Sequence, residues 1–263
     1  MDNRYKSLLE ILCSMESLAV AFSGGVDSTL LLKAAHDALG KKVLAITIDA
    51  PFHTSHEIAD ARRLASIIGV RHLVISPGKT SLEELYFNPP DRCYICKLKL
   101  FGICLDIAAE NGLAFLSDGS NIDDLDEYRP GRRALEELGV RSPLVESGLG
   151  KAEIRESARK LGLDNWNKPA MPCLLTRFRH GAKISDADLL RLQRCEKTLR
   201  DGGFGLCRVR VDGDTARIEL APEEMTKAVE PGNRKLISET FRRNGFAFVT
   251  LDLDGYRTGS MNL

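Results

Sequence analysis

No apolar run in this chain of 263 residues approaches the length needed to span a bilayer. The opening stretch Met1-Asp2-Asn3-Arg4-Tyr5-Lys6 lacks the pattern of a secretory leader. Both absences point to a cytoplasmic protein without a membrane partner. Excess charge is missing as well: 37 lysines and arginines are matched by 37 aspartates and glutamates. With no net positive field, holding an RNA backbone would need a local patch, so no nucleic-acid partner is expected. Internal repeats and low-complexity tracts are absent. So is an even set of cysteines. There are seven, and an odd number in a reducing compartment argues against a disulfide framework and for metal binding or chemistry. What the chain does have is 43% apolar residues, ample for a core in one large domain or a main domain with a smaller appendage.

The most informative segment is Ser23-Gly24-Gly25-Val26-Asp27-Ser28. It follows the apolar run Leu18-Ala19-Val20-Ala21-Phe22, which reads as a buried parallel strand, and precedes Thr29 to Ala35, which reads as a helix. A glycine-rich turn from strand to helix points backbone N–H groups and the positive end of the helix dipole at one spot, which suits a phosphate or pyrophosphate. The glycines let the backbone approach the anion, and the two serines add hydroxyl donors. A Walker A loop is excluded because no Gly-Lys-Ser/Thr follows, and the Rossmann glycine spacing is absent. Ser-Gly-Gly-x-Asp-Ser instead resembles the signature of the PP-loop ATP pyrophosphatases, which cleave ATP between the α and β phosphates. The alternative is an ordinary strand–turn–helix junction.

The rest of the first 160 residues repeats the alternation. Residues 4–17 read as an amphipathic helix, Val43–Asp49 as a second buried strand, Ser55–Ile68 as a helix stopped by Gly69, His72–Ile75 and Leu113–Leu116 as further strands, and Lys151–Leu161 as a helix closed by Gly162. Buried strands alternating with helices argue for an α/β fold with a parallel sheet, whose ligand sits beyond the carboxyl ends of the strands. The Ser23 loop, Asp49 and Asp118-Gly119-Ser120-Asn121 all fall at such ends. From Asp164 to Lys183 the periodicity stops, and two prolines mark a loop. Beyond it the order changes to a long helix over Ser185–Arg200, strands Cys207–Val211 and Thr215–Leu220, helical segments over Pro222–Asn244 and a strand over Phe246–Leu251. That order predicts a smaller α+β unit. The expected domains are residues 1–180 and 181–263.

Among the cysteines, Cys93 and Cys96 form a C-x-x-C at the start of a helix running to Glu110. Two thiols at this spacing grip one metal or one edge of a cluster, and Arg92 and Lys97 favour the thiolate. A closed zinc site would need two more ligands, which the sequence does not offer at similar spacing; unengaged thiols are the alternative. Cys173 lies in the irregular loop near Arg177 and Arg179, the cationic and exposed setting that an activated thiol needs. Cys13, Cys104, Cys195 and Cys207 sit in regular elements and read as small buried apolar residues.

With these residues in view, the chain resembles, nearly end to end, the ATP-dependent sulfur transferases of the LarE type, which act in making a nickel-pincer nucleotide. The likeness is carried by the loop at Ser23, Asp91-Arg92-Cys93-Tyr94-Ile95-Cys96-Lys97, and Gly119-Ser120-Asn121-Ile122-Asp123-Asp124 leading to Tyr128-Arg129-Pro130-Gly131. It continues through Lys151-Ala152-Glu153-Ile154-Arg155, Lys168-Pro169-Ala170-Met171-Pro172-Cys173-Leu174, Arg208-Val209-Arg210 and the tail Gly255-Tyr256-Arg257-Thr258-Gly259-Ser260. Thr176 stands where the family pattern has serine. The resemblance implies an adenine nucleotide alpha hydrolase-like domain and a small C-terminal domain for substrate binding or oligomerisation. It also implies an enzyme that adenylates a carboxylate of a pyridinium dicarboxylate mononucleotide, releases pyrophosphate and delivers sulfur at Cys173. In some members that cysteine gives up its own sulfur and becomes dehydroalanine. In others three cysteines hold a [4Fe–4S] cluster, and Cys93, Cys96 and Cys173 supply such a trio.

The expected roles follow. Ser23, Gly24, Gly25, Asp27 and Ser28 would hold the ATP pyrophosphate, with Asp27 meeting it through Mg²⁺. Asp49 would contact the adenosine, or serve only as a turn residue. Asp123 and Asp124 would hold Mg²⁺ or cap a loop. Arg208 and Arg210 alternate on one strand and so share a face, which suits a mononucleotide phosphate; Glu219 on the next strand would orient one of them. A solvated charged strand face is the competing account. Expected partners are the small-molecule mononucleotide, a sulfide donor and further copies of the chain in a homo-oligomer. The rival classes are a PP-loop amide ligase, which needs an ammonia source but not three cysteines, and a tRNA thiolase, which needs a basic surface.

Overall fold

Four apolar segments of the first part pair side by side because their alternation with helices leaves both faces covered. They are β1 (Leu18–Ala21), β2 (Val43–Ile48), β3 (Arg71–Ile75) and β4 (Phe115–Ser117). The computed structural model, which describes residues 3–125, 130–169 and 171–257, joins them in one parallel sheet of order β3-β2-β1-β4. Every residue of β2 is buried, as expected of a strand covered on both faces. Leu18 lies opposite Val43 on one side and Phe115 on the other, so the strand order reverses at β1. In open parallel sheets the crevice at such a reversal, beyond the carboxyl ends of the strands, is the ligand site.

Seven helices are described in this unit: α1 (Asn3–Cys13), α2 (Val26–Leu39), α3 (Ser55–Ile68), α4 (Arg92–Glu110), α5 (Pro130–Glu137), α6 (Pro143–Glu146) and α7 (Lys151–Lys160). α3 begins with a capping box, in which Thr54 and Glu57 satisfy each other's backbone N–H groups, and it ends at Gly69 with φ 83°. Leu8, Leu12, Leu30, Leu31, Ile154 and Leu163 pack with β1 and β2 into one core. Two elements are shorter than their sequence suggests, for local reasons. Leu113 N–H closes α4 onto the Ala108 carbonyl and Ala114 N–H goes to Ser17 Oγ, so β4 starts only at Phe115. Glu16 takes a positive φ of 60°, and α1 stops at Cys13. Cys13 is exposed there, which corrects its reading as a buried apolar residue; Cys104, Cys195 and Cys207 are buried.

Residues divide into two compact units, Met1–Leu82 with Asp91–Met171 and Glu83–Pro90 with Pro172–Leu263. The second contains α8 (Asp186–Asp201), β5 (Cys207–Asp212), β6 (Thr215–Leu220), α9 (Met225–Val229), α10 (Pro231–Arg243) and β7 (Phe248–Leu251). β5 and β6 form an antiparallel hairpin through Gly213, whose φ is 59°. β7 lies parallel to β6, a pairing that needs a crossover, which α9 and α10 provide. Segment 83–90 joins this unit through Asn88, whose buried amide donates to the carbonyls of Leu175, Phe178 and Arg179 at 3.3, 3.1 and 2.9 Å. Among the described residues, no helix is long and apolar enough to cross a membrane. Tyr128, Arg129, Ala170, Thr258, Gly259 and Ser260, all part of the segments that carry the family likeness, lie outside the described residues.

Candidate active site

Beyond β1 the chain turns at Ser23-Gly24-Gly25 and enters α2. Gly24 has φ +69°, and a Cβ there would sit 3.1 Å from the backbone nitrogen of Ala61 on α3. The position therefore requires glycine for both conformation and approach. Gly25 is the N-cap of α2, and no side chain caps that first turn. An uncapped helix start is an anion site in waiting. The hydroxyls of Ser23 and Ser28 lie 3.1 Å apart; Ser28 Oγ donates to the Gly25 carbonyl at 3.2 Å, and Ser23 Oγ accepts from Gly25 N–H at 3.3 Å. Asn165, buried, braces the loop from outside by donating to the Gly24 carbonyl at 3.2 Å and to Thr29 Oγ1 at 2.9 Å.

The loop after β4 closes on the same place. A Cβ at Gly119 would lie 3.0 Å from Ser28 N, so this glycine too is needed for close approach. Asp118 is buried beside it, accepting from Ser120 Oγ at 2.5 Å and Ser142 Oγ at 2.7 Å and facing Lys97 Nζ at 3.5 Å. Asp27 pairs through Oδ2 with Lys151 Nζ, while its Oδ1 is buried with no hydrogen-bond partner. Burial pushes the Asp27 carboxyl above its ordinary value, against the pull of Lys151 and Arg155, and Asp124 adds to the push. Asp123 and Asp124 act as caps: Asp123 Oδ2 accepts from Lys151 N–H at 2.7 Å at the start of α7, and Asp124 Oδ2 accepts from Asn121 N–H at 3.1 Å. Asp49 is exposed just past β2, where its N–H continues the ladder to Ile75 at 2.7 Å.

Lys168, on the loop leading toward Cys173, is anchored to α3 by Asp60 at 2.7 Å. Burial works against the Asp60 anion, but the hydrogen bond and charge of Lys168, helped by His56 and Arg63, hold its carboxyl below the usual range. Cys93 and Cys96 stand on the first turns of α4, three residues apart and so on one face; Cys93 is exposed and Cys96 half-buried. Gly131 lets α5 approach them, since a Cβ there would lie 3.1 Å from the Cys93 carbonyl. Within each unit, among the described residues, no group of three or more His, Cys, Asp or Glu side chains is gathered as a metal site.

In the second unit Cys173, half-buried, precedes a single helical turn over Leu174–Arg177. Its carbonyl accepts from Thr176 Oγ1 at 2.8 Å and from Arg177 Nη1 at 3.3 Å, and Arg177 also donates to the Pro172 carbonyl at 2.8 Å. The other edge of the Arg177 guanidinium makes a fork on Glu196 of α8, at 2.8 and 3.2 Å. Both side chains are 1% exposed. Arg177 is thus a core brace for the backbone at Cys173, with its charge matched by Glu196. Arg179 is exposed and pairs with Asp212 at 2.7 Å.

Arg208 and Arg210 lie on one face of β5, as their spacing requires, but they are 5% and 7% exposed. A solvated strand face is therefore excluded. Glu219, fully buried opposite Arg208, receives Arg210 at 2.8 Å and Arg217 at 3.4 Å. Arg210 also donates to the Thr176 carbonyl at 3.0 Å, which ties β5 to the cysteine loop. The Arg208 guanidinium lies over the Tyr256 ring at 5.2 Å. Gly255 brings that ring in, since a Cβ there would meet the Leu220 carbonyl at 2.8 Å. Three residues that sequence reasoning left without a role emerge here: Glu196, Asn165 and Lys151. Glu196 had a legible signal, a lone acid on the apolar face of α8 beside Leu192, Cys195 and Leu199. Asn165 had none.

Known proteins resemble this arrangement in sequence. The sequence model of the asparagine synthase family matches residues 7–86, the stretch that holds the Ser23 loop. An uncharacterized protein of Synechocystis is 39% identical over the whole chain and 98% of its own length. The pyridinium-3,5-bisthiocarboxylic acid mononucleotide synthase of Lactiplantibacillus plantarum is 37% identical over 97% of this chain and 92% of its own length. The glutamine-hydrolyzing GMP synthase of Aeropyrum pernix is 29% identical over 59% of this chain and 34% of its own length. The parallel sheet with its phosphate-type loop at the strand reversal, and 37% identity to a named synthase over 97% of this chain, lead to one conclusion: the chain belongs to the LarE-type family of PP-loop ATP-dependent sulfurtransferases.

Proposed function

We propose that this enzyme adenylates a carboxylate of a pyridinium-3,5-dicarboxylate mononucleotide and converts it to a thiocarboxylate, with the Ser23 loop serving ATP and Cys173 serving the sulfur. The observation that carries the reading is the uncapped α2 start behind Gly24, set at the strand reversal where an anion would lodge. Ser23, Gly24, Gly25 and Ser28 hold the departing pyrophosphate. Asp27, with one carboxylate oxygen buried and unbonded, suits a Mg²⁺ carried on the phosphates. Asp49, exposed at the end of β2, contacts the adenosine. The carboxylate oxygen attacks the α-phosphorus and pyrophosphate leaves. Sulfur then attacks the activated carbonyl carbon, a C–S bond forms and AMP departs with the C–O electron pair. Where the sulfur is that of Cys173, its Cβ–Sγ bond then breaks as the α-proton of that residue leaves, giving the thiocarboxylate and dehydroalanine.

Arg208, a buried guanidinium held over the Tyr256 ring, binds the mononucleotide phosphate, and Arg210 with Glu219 supports it from the same face. The donor chemistry of Cys93, Cys96 and Cys173 fits a [4Fe–4S] cluster, three thiols of which none is fully buried. When bound, such a cluster supplies a sulfide for transfer. Sacrifice of the Cys173 sulfur is the alternative source. The exposed Phe248 of the edge strand β7 supports assembly into a homo-oligomer, and the place of action is the cytoplasm.

Product analysis tests the first half: AMP and pyrophosphate are expected, and ADP with phosphate would remove the reading. Mass spectrometry after one turnover tests the second. An intact chain together with iron bound in anaerobic reconstitution supports the cluster; loss of H₂S from Cys173 assigns the sulfur to the protein itself.

A further inference from the structure

Asn165 reaches the Ser23 loop from 141 residues along the chain, and its side chain is buried. Its amide nitrogen carries two protons, and both are used: one goes to the Gly24 carbonyl at 3.2 Å, the other to Thr29 Oγ1 at 2.9 Å. A carbonyl only accepts, so the nitrogen must be the atom that faces Gly24. Thr29 passes the constraint on, its own hydroxyl donating to the Gly25 carbonyl at 2.8 Å. Asn165 Oδ1, by contrast, is buried with no hydrogen-bond partner. An unsatisfied buried acceptor lowers stability, so packing gives no reason for an amide here; what its two donors hold gives one. The segment is itself fixed by α3. Asp164 pairs with Arg63 at 2.5 Å and Lys168 with Asp60 at 2.7 Å, on the helix whose Ala61 lies against Gly24.

The backbone explains why these carbonyls need holding. The N–H and C=O of one trans peptide point in opposite directions. Fixing the Gly24 carbonyl therefore aims the Gly25 N–H, and fixing the Gly25 carbonyl aims the Val26 N–H. Those groups open α2, where an anion would lodge, and the Gly25 N–H faces Ser23 Oγ at 3.3 Å. With glycine on both sides, the peptide between Gly24 and Gly25 can turn over. The half-turn carries Gly25 from φ −76° into the positive region that glycine alone enters freely. A turned peptide would show the anion a carbonyl oxygen in place of an N–H. We infer that Asn165 is a positioning residue for this site: its amide locks the Gly24–Gly25 peptide in the orientation that presents N–H groups to the pyrophosphate. This assignment rests on reading the Ser23 loop as the nucleotide site. A merely structural Asn165 would support the fold without selecting a peptide orientation, and the difference shows once the peptide is locked by other means.

The test is equilibrium binding of pyrophosphate, ATP and AMP to the full-length protein in magnesium buffer, with thermal melting as the fold control. Asn165→Leu should weaken pyrophosphate and ATP at least about tenfold, the loss of one N–H contact to a charged oxygen, and leave AMP unchanged. Gly25→Ala bars the positive φ and with it the turned peptide. In that background Asn165→Leu should cost less than about threefold, because the lock is no longer needed. Should Asn165→Leu melt far below wild type, Asn165→Ala gives the same comparison in both backgrounds without crowding the site. A loss that stays equally large in the Gly25→Ala background, or that falls equally on AMP, overturns the proposal, as does unchanged pyrophosphate binding in the Asn165 variants. If wild-type protein binds neither ATP nor pyrophosphate, the reading of the loop itself falls, and the assignment of Asn165 with it.

Discussion

The Ser23 loop and the Cys173 loop are built by opposite means. The first is local: within Ser23–Thr29 the hydroxyls and carbonyls bond one another, and glycine at Gly24 permits a turn that no other residue takes without strain. Six consecutive residues therefore advertise it. The second is held from a distance by charge. Arg177 is braced by Glu196 on α8, and Arg210, itself paired with Glu219 on β6, reaches back to the Thr176 carbonyl. A local turn tolerates much change around it, whereas a buried ion pair fails when either partner is lost. The first loop is thus expected to be robust in fold and sensitive in binding, the second the reverse.

The sharpest challenge to that contrast is removal of Glu196. Glu196→Ala leaves the guanidinium of Arg177 buried without its partner, a loss of about 3–5 kcal/mol. Chemical denaturation should show the second unit unfolding early while ATP binding survives. A change below about 1 kcal/mol would mean that the pair is no brace. The next test separates the two arginines of β5. Arg210→Ala should lower stability first, because it strips a buried carboxylate of a partner, whereas Arg208→Ala should melt closer to wild type and weaken mononucleotide binding. That weakening should be about tenfold to a hundredfold, one charge-assisted contact of about 1.5–3 kcal/mol. Equal melting losses in both variants would place Arg208 in the scaffold.

On the other side of the comparison, Gly24→Ala should cost about 1–2 kcal/mol from the left-handed backbone alone. The new methyl also crowds Ala61, so ATP affinity should fall further than stability does. Gly25→Ala, at φ −76° and meeting only Ser23 Oγ at 3.3 Å, should be milder in both measurements. The smallest effect concerns pH. His72 lies on β3 with Nε2 2.7 Å from Thr47 Oγ1, and that hydroxyl donates its proton to the Phe22 carbonyl. Burial, with the charge of Arg62, pulls the imidazole down to about 4. Between its ordinary value near 6.5 and about 4, the unfolded chain binds a proton that the native one does not. Stability from a neutral His72 is thus complete above that window and is lost as pH falls through it. Urea midpoints at pH 7 and pH 4.5 should converge for His72→Gln relative to wild type; parallel acid losses would discount the residue.

The helix over Ser55–Ile68, the C-x-x-C helix to Glu110 and the hairpin strand Thr215–Leu220 match the bounds that periodicity alone suggests, because each carries its own cap or turn. Misjudged ends have the same kind of cause. Leu113 and Phe246 look like strand starts, but their N–H groups close the preceding helices on Ala108 and Phe241. Arg177 reads in the sequence as a bare cation near Cys173, because a sequence shows a charge without showing its partner. Glu196, 19 residues further on, becomes that partner only when α8 packs under β5.

Sequence alone determined the parallel α/β class, the phosphate-type loop and the family, since each rests on contiguous patterns in which neighbouring residues do the physical work. Tertiary structure alone decided which charge meets which. It made Asp123 a helix cap, buried Arg208 and Arg210 beside Glu219, and set Lys151 against Asp27, 124 residues away. Pairing between distant charges depends on where the chain brings them and how much water stays between them, and no local pattern of residues records either quantity.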